Sequence, residues 1–478
     1  MNAVHRIVLP ALARRPLAAG LALAFSLGAA IPSLSNAVEP IERSAGNGSP
    51  MPTVDVTTCD DDGPGSLRAA VAAAASGDII DLTALSCSTI TLTTGFIAVA
   101  QDDLSLIGPG PALLAIDAGG SSGLIRHAGS GTLAISGVTI SNGNYESAST
   151  PRGGCVYSAA NLDMTDTTVT YCAAVGTNSE IARGGGIYAL GDLALTRTIV
   201  TNSKAHGMAA GGHGGGVYVA GNFSATDSTI STNVAYGAPI NTGQGGGAMI
   251  VGTTMLKGSM IAYNGAYAAG GLWTQDAVTI DSSTIYANGA SNVAGMRATY
   301  SSGSPTATIV NSTIAGNSAV ALVGGLNLII PATISNTTIA FNNAFNGLSG
   351  VLMSGPTLDL ESSIIAGNGT NDPDDFDVYG SVAITGANNL VVVSSVELPP
   401  DTITSDPLLG TIGQYGGPTM TIPLMEGSPA IDAGNNAAGL ATDQRGAGFT
   451  RVVGARADIG AFEVQTSDIL FADGFDPP

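Results

Sequence analysis

The stretch TISTN at residues 229–233 returns as MIAYN (260–264), TIYAN (284–288), TIAGN (313–317), TIAFN (338–342) and IIAGN (364–368). Upstream the same phrase reads TISNG (139–143), TVTYC (168–172) and TIVTN (198–202). Its second position is an aliphatic column of Ile140, Val169, Ile199, Ile230, Ile261, Ile285, Ile314, Ile339 and Ile365, and its fifth is mostly asparagine from Asn202 to Asn368. A short alternating strand precedes each phrase, as in Leu193-x-Leu195 or Val278-x-Ile280. A glycine cluster follows it: GGCVY (153–157), GGGIY (184–188), GGGVY (214–218), GGGAM (245–249), GGLW (270–273) and GGLN (324–327). Alternation with a period of two marks strands. A unit this short cannot bury its apolar face alone and must stack on its neighbours. The sequence thus predicts an all-β chain, a right-handed parallel β-helix. Asparagine in the turn column should pass hydrogen bonds along the stack and tolerate left-handed backbone. Glycine is needed where φ is positive or chains pass closely. An array of immunoglobulin-like domains would instead repeat at ~100 residues.

The ends need covering, because an open coil exposes unpaired backbone. SLRAAVAAAAS (66–76) reads as a short capping helix, with Ser66 as N-cap and Gly77 as its stop. Thr89 to Thr93, Asp103 to Ile107 and Leu113 to Ala118 supply further coils, and Pro399, Pro400 and Pro407 mark a change of structure beyond Val393. Residues 1–37 resemble a secretory leader: Arg6, Arg14 and Arg15 precede the apolar run Leu17 to Ala30, and Ser35-Asn36-Ala37 is a small-x-small cleavage site. The expected organisation is therefore leader 1–37, linker 38–58, β-helix with its N-terminal cap 59–395, a C-terminal cap module 396–464 and a tail 465–478.

Only 15 Lys and Arg face 36 Asp and Glu, a formal charge of −21. That balance argues against nucleic acid, whose phosphates require a basic footprint, and against anionic lipid. No later segment offers the ~20 apolar residues of a spanning helix. The expected product is an exported monomer at the bacterial cell surface or outside it. Cys59, Cys87, Cys155 and Cys172 all lie beyond the leader, and Cys59–Cys87 with Cys155–Cys172 is one of three pairings open to four cysteines.

GSLRAAVAAAASGDIIDL (65–82) followed by TITLTTG (89–95) resembles the opening module of bacterial secreted β-helix proteins akin to the polymorphic outer-membrane protein repeats. That module typically reads Cys-Ser-Leu-Arg-Glu-Ala; here Gly65 replaces the Cys and Ala69 the Glu. GSPAIDAGNN (427–436), ATDQRG (441–446) and ADIGAFE (457–463) are similar to the choice-of-anchor Q module. The resemblance implies export and presentation at a surface, and implies no defined enzyme activity.

Chemistry concentrates in the glycine column. Arg152, Arg183, His213 and Gln244 stand just before the glycines of four consecutive units; Tyr157, Tyr188, Tyr218 and Met249 stand five positions later, with Trp273 in the next unit. Val156, Ile187 and Val217 should point inward and the tyrosines outward. Such a stripe suits a polysaccharide or cell-surface glycan, with rings on sugar faces and Arg on carboxylate or sulfate. The alternatives are a polysaccharide lyase, with Arg183 neutralising a uronate while His213 or Tyr188 moves the proton, and a structural spacer without ligand. No cofactor is called for. Asp60 to Asp62 and NDPDDFD (371–377) are oxygen-rich enough for calcium but lack its motif spacing. His127 and His206 have no partner evident in the sequence.

Overall fold

A computed structural model describes residues 51–208, 210–237, 242–369, 375–466 and 468; the leader, the linker to residue 50, residues 371–374 of the acidic loop and the tail from 469 lie outside these. The chain is a parallel β-helix. Each full coil visits four sheets in turn, exemplified by Thr132–Ser136, Thr139–Ser141, Asn144–Ser147 and Val156–Ser158. The first sheet has 13 strands, the second 12, the third 8 and the fourth 11, and each strand pairs with its equivalent one coil away. Inward side chains such as Ile140, Val169, Ile230, Ile285 and Ile339 form one continuous core.

One coil departs from the expected register. Val200, not Ile199, lies over Val169 and Ile230, so Thr198 to Asn202 is shifted by one residue. Ile199 is consequently 44% exposed while Val200 is buried. Ser203 takes the place expected for Asn202.

Each coil bends through left-handed residues. Between the second and third sheets that residue precedes the asparagine column, which Cys172 and Ser203 occupy in the earlier coils, and its φ is +55° at Tyr171, +52° at Asn202, +57° at Thr232 and +58° at Tyr263. The asparagines themselves point inward at the bend. Asn233, Asn264, Asn288, Asn317, Asn342 and Asn368 form a buried ladder in which each Nδ2 donates to the next coil's Oδ1 over 2.8–3.1 Å, the last onto Asp377. Each Oδ1 from Asn264 onward also accepts the preceding coil's asparagine N–H. A second ladder runs between the first and second sheets, where the N–H of Ser228, Ser259 and Ser283 each donates to the hydroxyl of the next coil. These ladders supply the partners that buried bends require.

The glycine column has a steric cause. The segments 144–151, 173–183 and 203–213 are not free loops: they carry the third-sheet strands and a short pair, Ala182–Arg183 with Gly212–His213. That layer lies directly on the glycines. A Cβ at Gly185 would sit 2.2 Å from the Lys204 carbonyl carbon, and one at Gly215 2.4 Å from that of Val234.

The ends are closed as follows. Helix Leu67–Ala73, capped by Ser66 Oγ, buries Leu67, Ala70 and Val71; it ends before Gly77, where Asp78 captures the Ala75 N–H. Arg68 ties it to Asp61 and to the carbonyls of Gly95 and Phe96. Burial opposes ionisation of Asp61, but Arg68, Thr93 and Thr94 outweigh it and hold the carboxyl well below its usual range. Both disulfides form, Cys59–Cys87 and Cys155–Cys172. The C-terminal segment does more than cover an end: it runs back along the second sheet, burying Leu424, Ala430 and Ile459 against Ile364 and Leu390. Asp443–Arg445 and Arg451–Glu463 are ion pairs inside it.

Candidate functional site

The residues singled out from sequence do come together. Arg152, Arg183, His213 and Gln244 occupy one column, each bridged in parallel to the next. Tyr157, Tyr188, Tyr218, Met249 and Trp273 form the adjacent column on the outer face of the fourth sheet, while Val156, Ile187 and Val217 face the core. Two neighbours that sequence reasoning missed extend it: Arg126 pairs with Tyr157 and Arg297 with Trp273. Carrying the repeat one coil further at each end would have found both.

The rings spend their faces on one another. Tyr157 and Tyr188 stack at 5.4 Å and 5°, Tyr188 and Tyr218 at 5.3 Å and 2°. Guanidinium groups fill the flanks: Arg126 lies 4.5 Å from the Tyr157 ring and 3.7 Å from that of Tyr145, Arg152 5.4 Å from Tyr188, Arg183 5.7 Å from Tyr218 and Arg297 4.6 Å from Trp273. Tyr188 is only 3% exposed. Burial pushes its hydroxyl above the usual phenol range. His213 is drawn down to about 4 by burial and by Arg183, so it is neutral at pH 7. The column therefore presents ring edges and cations, with little ring face left over.

Among the described residues, no carboxylate lies within ion-pair distance of Arg126, Arg152, Arg183 or Arg297; the pairs present involve Arg68, Arg197, Arg445 and Arg451. The histidines without sequence-evident partners do have them. His127 is buried, bonded to Ser158 Oγ and the Gln101 carbonyl, and serves the core. His206 stacks on Tyr236 at 4.3 Å. It also lines a groove of about 670 Å³ with Glu146, Tyr171, Asn202 and Lys204, at the bend between the second and third sheets. No three His, Cys, Asp or Glu side chains among the described residues converge as a metal site would require.

No protein-family model and no curated protein matches the sequence. Among solved structures the chain is similar to the pectate lyase Pel9A, with 15% identity and a TM-score of 0.48 over 87% of this chain and 98% of that one. It is also similar to the catalytic unit of a thermostable GH87 α-1,3-glucanase from Streptomyces thermodiastaticus strain HF3-3, with 16% identity and a TM-score of 0.38 over 74% and 72%. Likeness at this level concerns the path of the solenoid and not its chemistry.

Proposed function

We propose that the protein is an exported, non-catalytic binding scaffold, and that the guanidinium–tyrosine column holds an acidic polysaccharide of a cell surface. One observation carries this reading: Arg126, Arg152, Arg183 and Arg297 have no carboxylate partner among the described residues of a strongly acidic chain. Burial draws Arg126 and Arg297 below their ordinary values, so their charge is held at a cost that a bound carboxylate or sulfate would offset. Beside the stacked tyrosines Arg152 and Arg183 stand one coil apart, a spacing that a polymer running along the axis could follow. The two disulfides support export to an oxidising compartment. The segment that resembles choice-of-anchor Q modules we read as the part that presents the solenoid at the surface.

Isothermal titration with polygalacturonate, alginate and a sulfated glycan tests it. At least one should bind, with affinity falling as salt rises, and R152K/R183K should bind at least tenfold more weakly, because lysine keeps the charge but loses the paired donors. No binding to any of the three would overturn the reading. Release of an unsaturated product by wild type but not by H213A would replace it with a lyase.

A further inference from the structure

The left-handed bend between the second and third sheets carries an unexplained choice of residues. In register, its positions are Asn142, Tyr171, Asn202, Thr232, Tyr263, Ala287, Gly316, Phe341 and Gly367, all at φ between +50° and +65°. Asparagine and glycine adopt this conformation easily, whereas a bulky side chain is strained in it. Three of the nine are nonetheless aromatic, and all three face solvent: Tyr171 is 62% exposed, Tyr263 53% and Phe341 42%. Tyr263 meets Tyr286 edge-on at 5.4 Å, but none of the three rings is buried in the core, and a strained backbone that keeps an exposed ring marks a functional position.

Their placement is regular. Tyr171, Tyr263 and Phe341 are three coils apart, twice over, which sets the rings about 14 Å from one another along the axis. Two grooves are lined by residues of this bend. One holds Tyr171 among Glu146, Asn202, Lys204 and His206. The other, of about 700 Å³, holds Phe341 beside Ile412, Tyr415 and Met425. The glycines make room for rings: a Cβ at Gly316 would come 2.9 Å from Tyr286 Cε2, and one at Gly367 3.3 Å from Phe341 Cε1.

We propose that this bend is a second binding edge, taking an extended neutral polysaccharide that runs parallel to the solenoid axis with Tyr171, Tyr263 and Phe341 as stacking platforms. Single rings separated by Asn202, Thr232 and Ala287 suit a polymer of flat apolar sugar faces and hydroxyls; a protein partner would need contiguous apolar area. Glu146 and Lys204 offset each other in the Tyr171 groove, and together with the acidic chain this favours an uncharged ligand. The edge is separate from the guanidinium column, so absence of polyanion binding leaves this proposal intact.

The test uses the purified protein with cellulose, β-1,3-glucan, xylan and mannan in pull-down assays, and with the matching soluble hexaoses in titrations. Wild type should bind at least one of them with little dependence on salt. Y171N, Y263N and F341N should each raise the midpoint of thermal unfolding, because asparagine accepts positive φ more readily, while weakening binding to the polymer at least fivefold. The triple variant should abolish it. R152K/R183K should leave it unchanged. Binding to none of the four polymers overturns the proposal, as does unchanged binding by the triple variant. A lowered midpoint in all three single variants overturns it too, by showing that the rings are packing groups.

Discussion

The junction of Cys155 with Cys172 and those of Asn233 to Asn368 lie between the same two columns and are closed by different means. In the later coils the Asn side chain faces the third glycine of the cluster: a Cβ at Gly216 would lie 2.8 Å from Asn233 Nδ2, and one at Gly247 2.9 Å from Asn264 Nδ2. At the earlier junction Cys172 stands in the asparagine column and Cys155 in the glycine column of the coil before it, and the two are covalently joined. The Gly143 N–H, which an asparagine oxygen would have accepted, is left to Cys155 Sγ at 3.2 Å. A disulfide thus fastens one coil to the next by a single covalent bond, whereas each amide fastens its coil to the next by hydrogen bonds that the following asparagine continues. Before the ladder begins, this contact is covalent and isolated; along the ladder it is a chain of shared hydrogen bonds.

Breaking the ladder should have the largest effect. Asn288→Ala removes the acceptor of the Asn264 N–H and Nδ2 and the donor to the Ile261 carbonyl, all buried. Each orphaned group costs ~1–3 kcal/mol, so a loss of about 4 kcal/mol is expected in urea unfolding. A loss under ~1 kcal/mol would mean that water repairs the gap and that the ladder is not cooperative.

The disulfide tests the comparison more sharply. The bridge spans 17 residues, and Cys155→Ala with Cys172→Ala should cost about 3 kcal/mol. Cys155→Gly with Cys172→Asn writes the later coils' solution into this one and should recover ~1–2 kcal/mol of that loss through regained hydrogen bonds. Equal instability of the two double variants would show that the junctions are not interchangeable. The smallest effect belongs to the hydroxyl ladder: Ser259→Ala takes one acceptor from the Ser228 N–H and should cost ~1 kcal/mol by the same measurement.

The repeat made the path of the chain legible, because period-two alternation and stacking leave few other solutions. Its details were less so. Thr198 to Asn202 offers both Ile199 and Val200 to the core, and only pairing with neighbouring coils decides between them. The glycine cluster signalled a close approach without saying what approached, since the third sheet's small-residue strands look like loop. The guanidinium–tyrosine column was visible as a register inference. That its rings would stack face to face was not, because sequence spacing carries no side-chain angle. The aromatic bend stayed hidden for a different reason: Tyr171, Tyr263 and Phe341 sit where the repeat is variable, and their positive φ is a backbone property.

The returning C-terminal segment changes how this solenoid can come apart. A stack whose units touch only their neighbours frays from its ends, coil by coil. Here Gln444 binds Ser283, Thr284 and Thr313, the Thr442 carbonyl binds Asn311, the Asn435 carbonyl binds Asn336, and Ala461 binds Thr338. Those contacts bridge up to 161 residues of sequence. Coils from Ser283 to Ser362 are thereby enrolled in one cooperative block whose amide protons should exchange together, and fraying is confined to the coils before it. Because the fastening residues follow in sequence the coils they fasten, the block matures late: its coils can assemble in order as they emerge, and become resistant to opening only when the segment folds back over them.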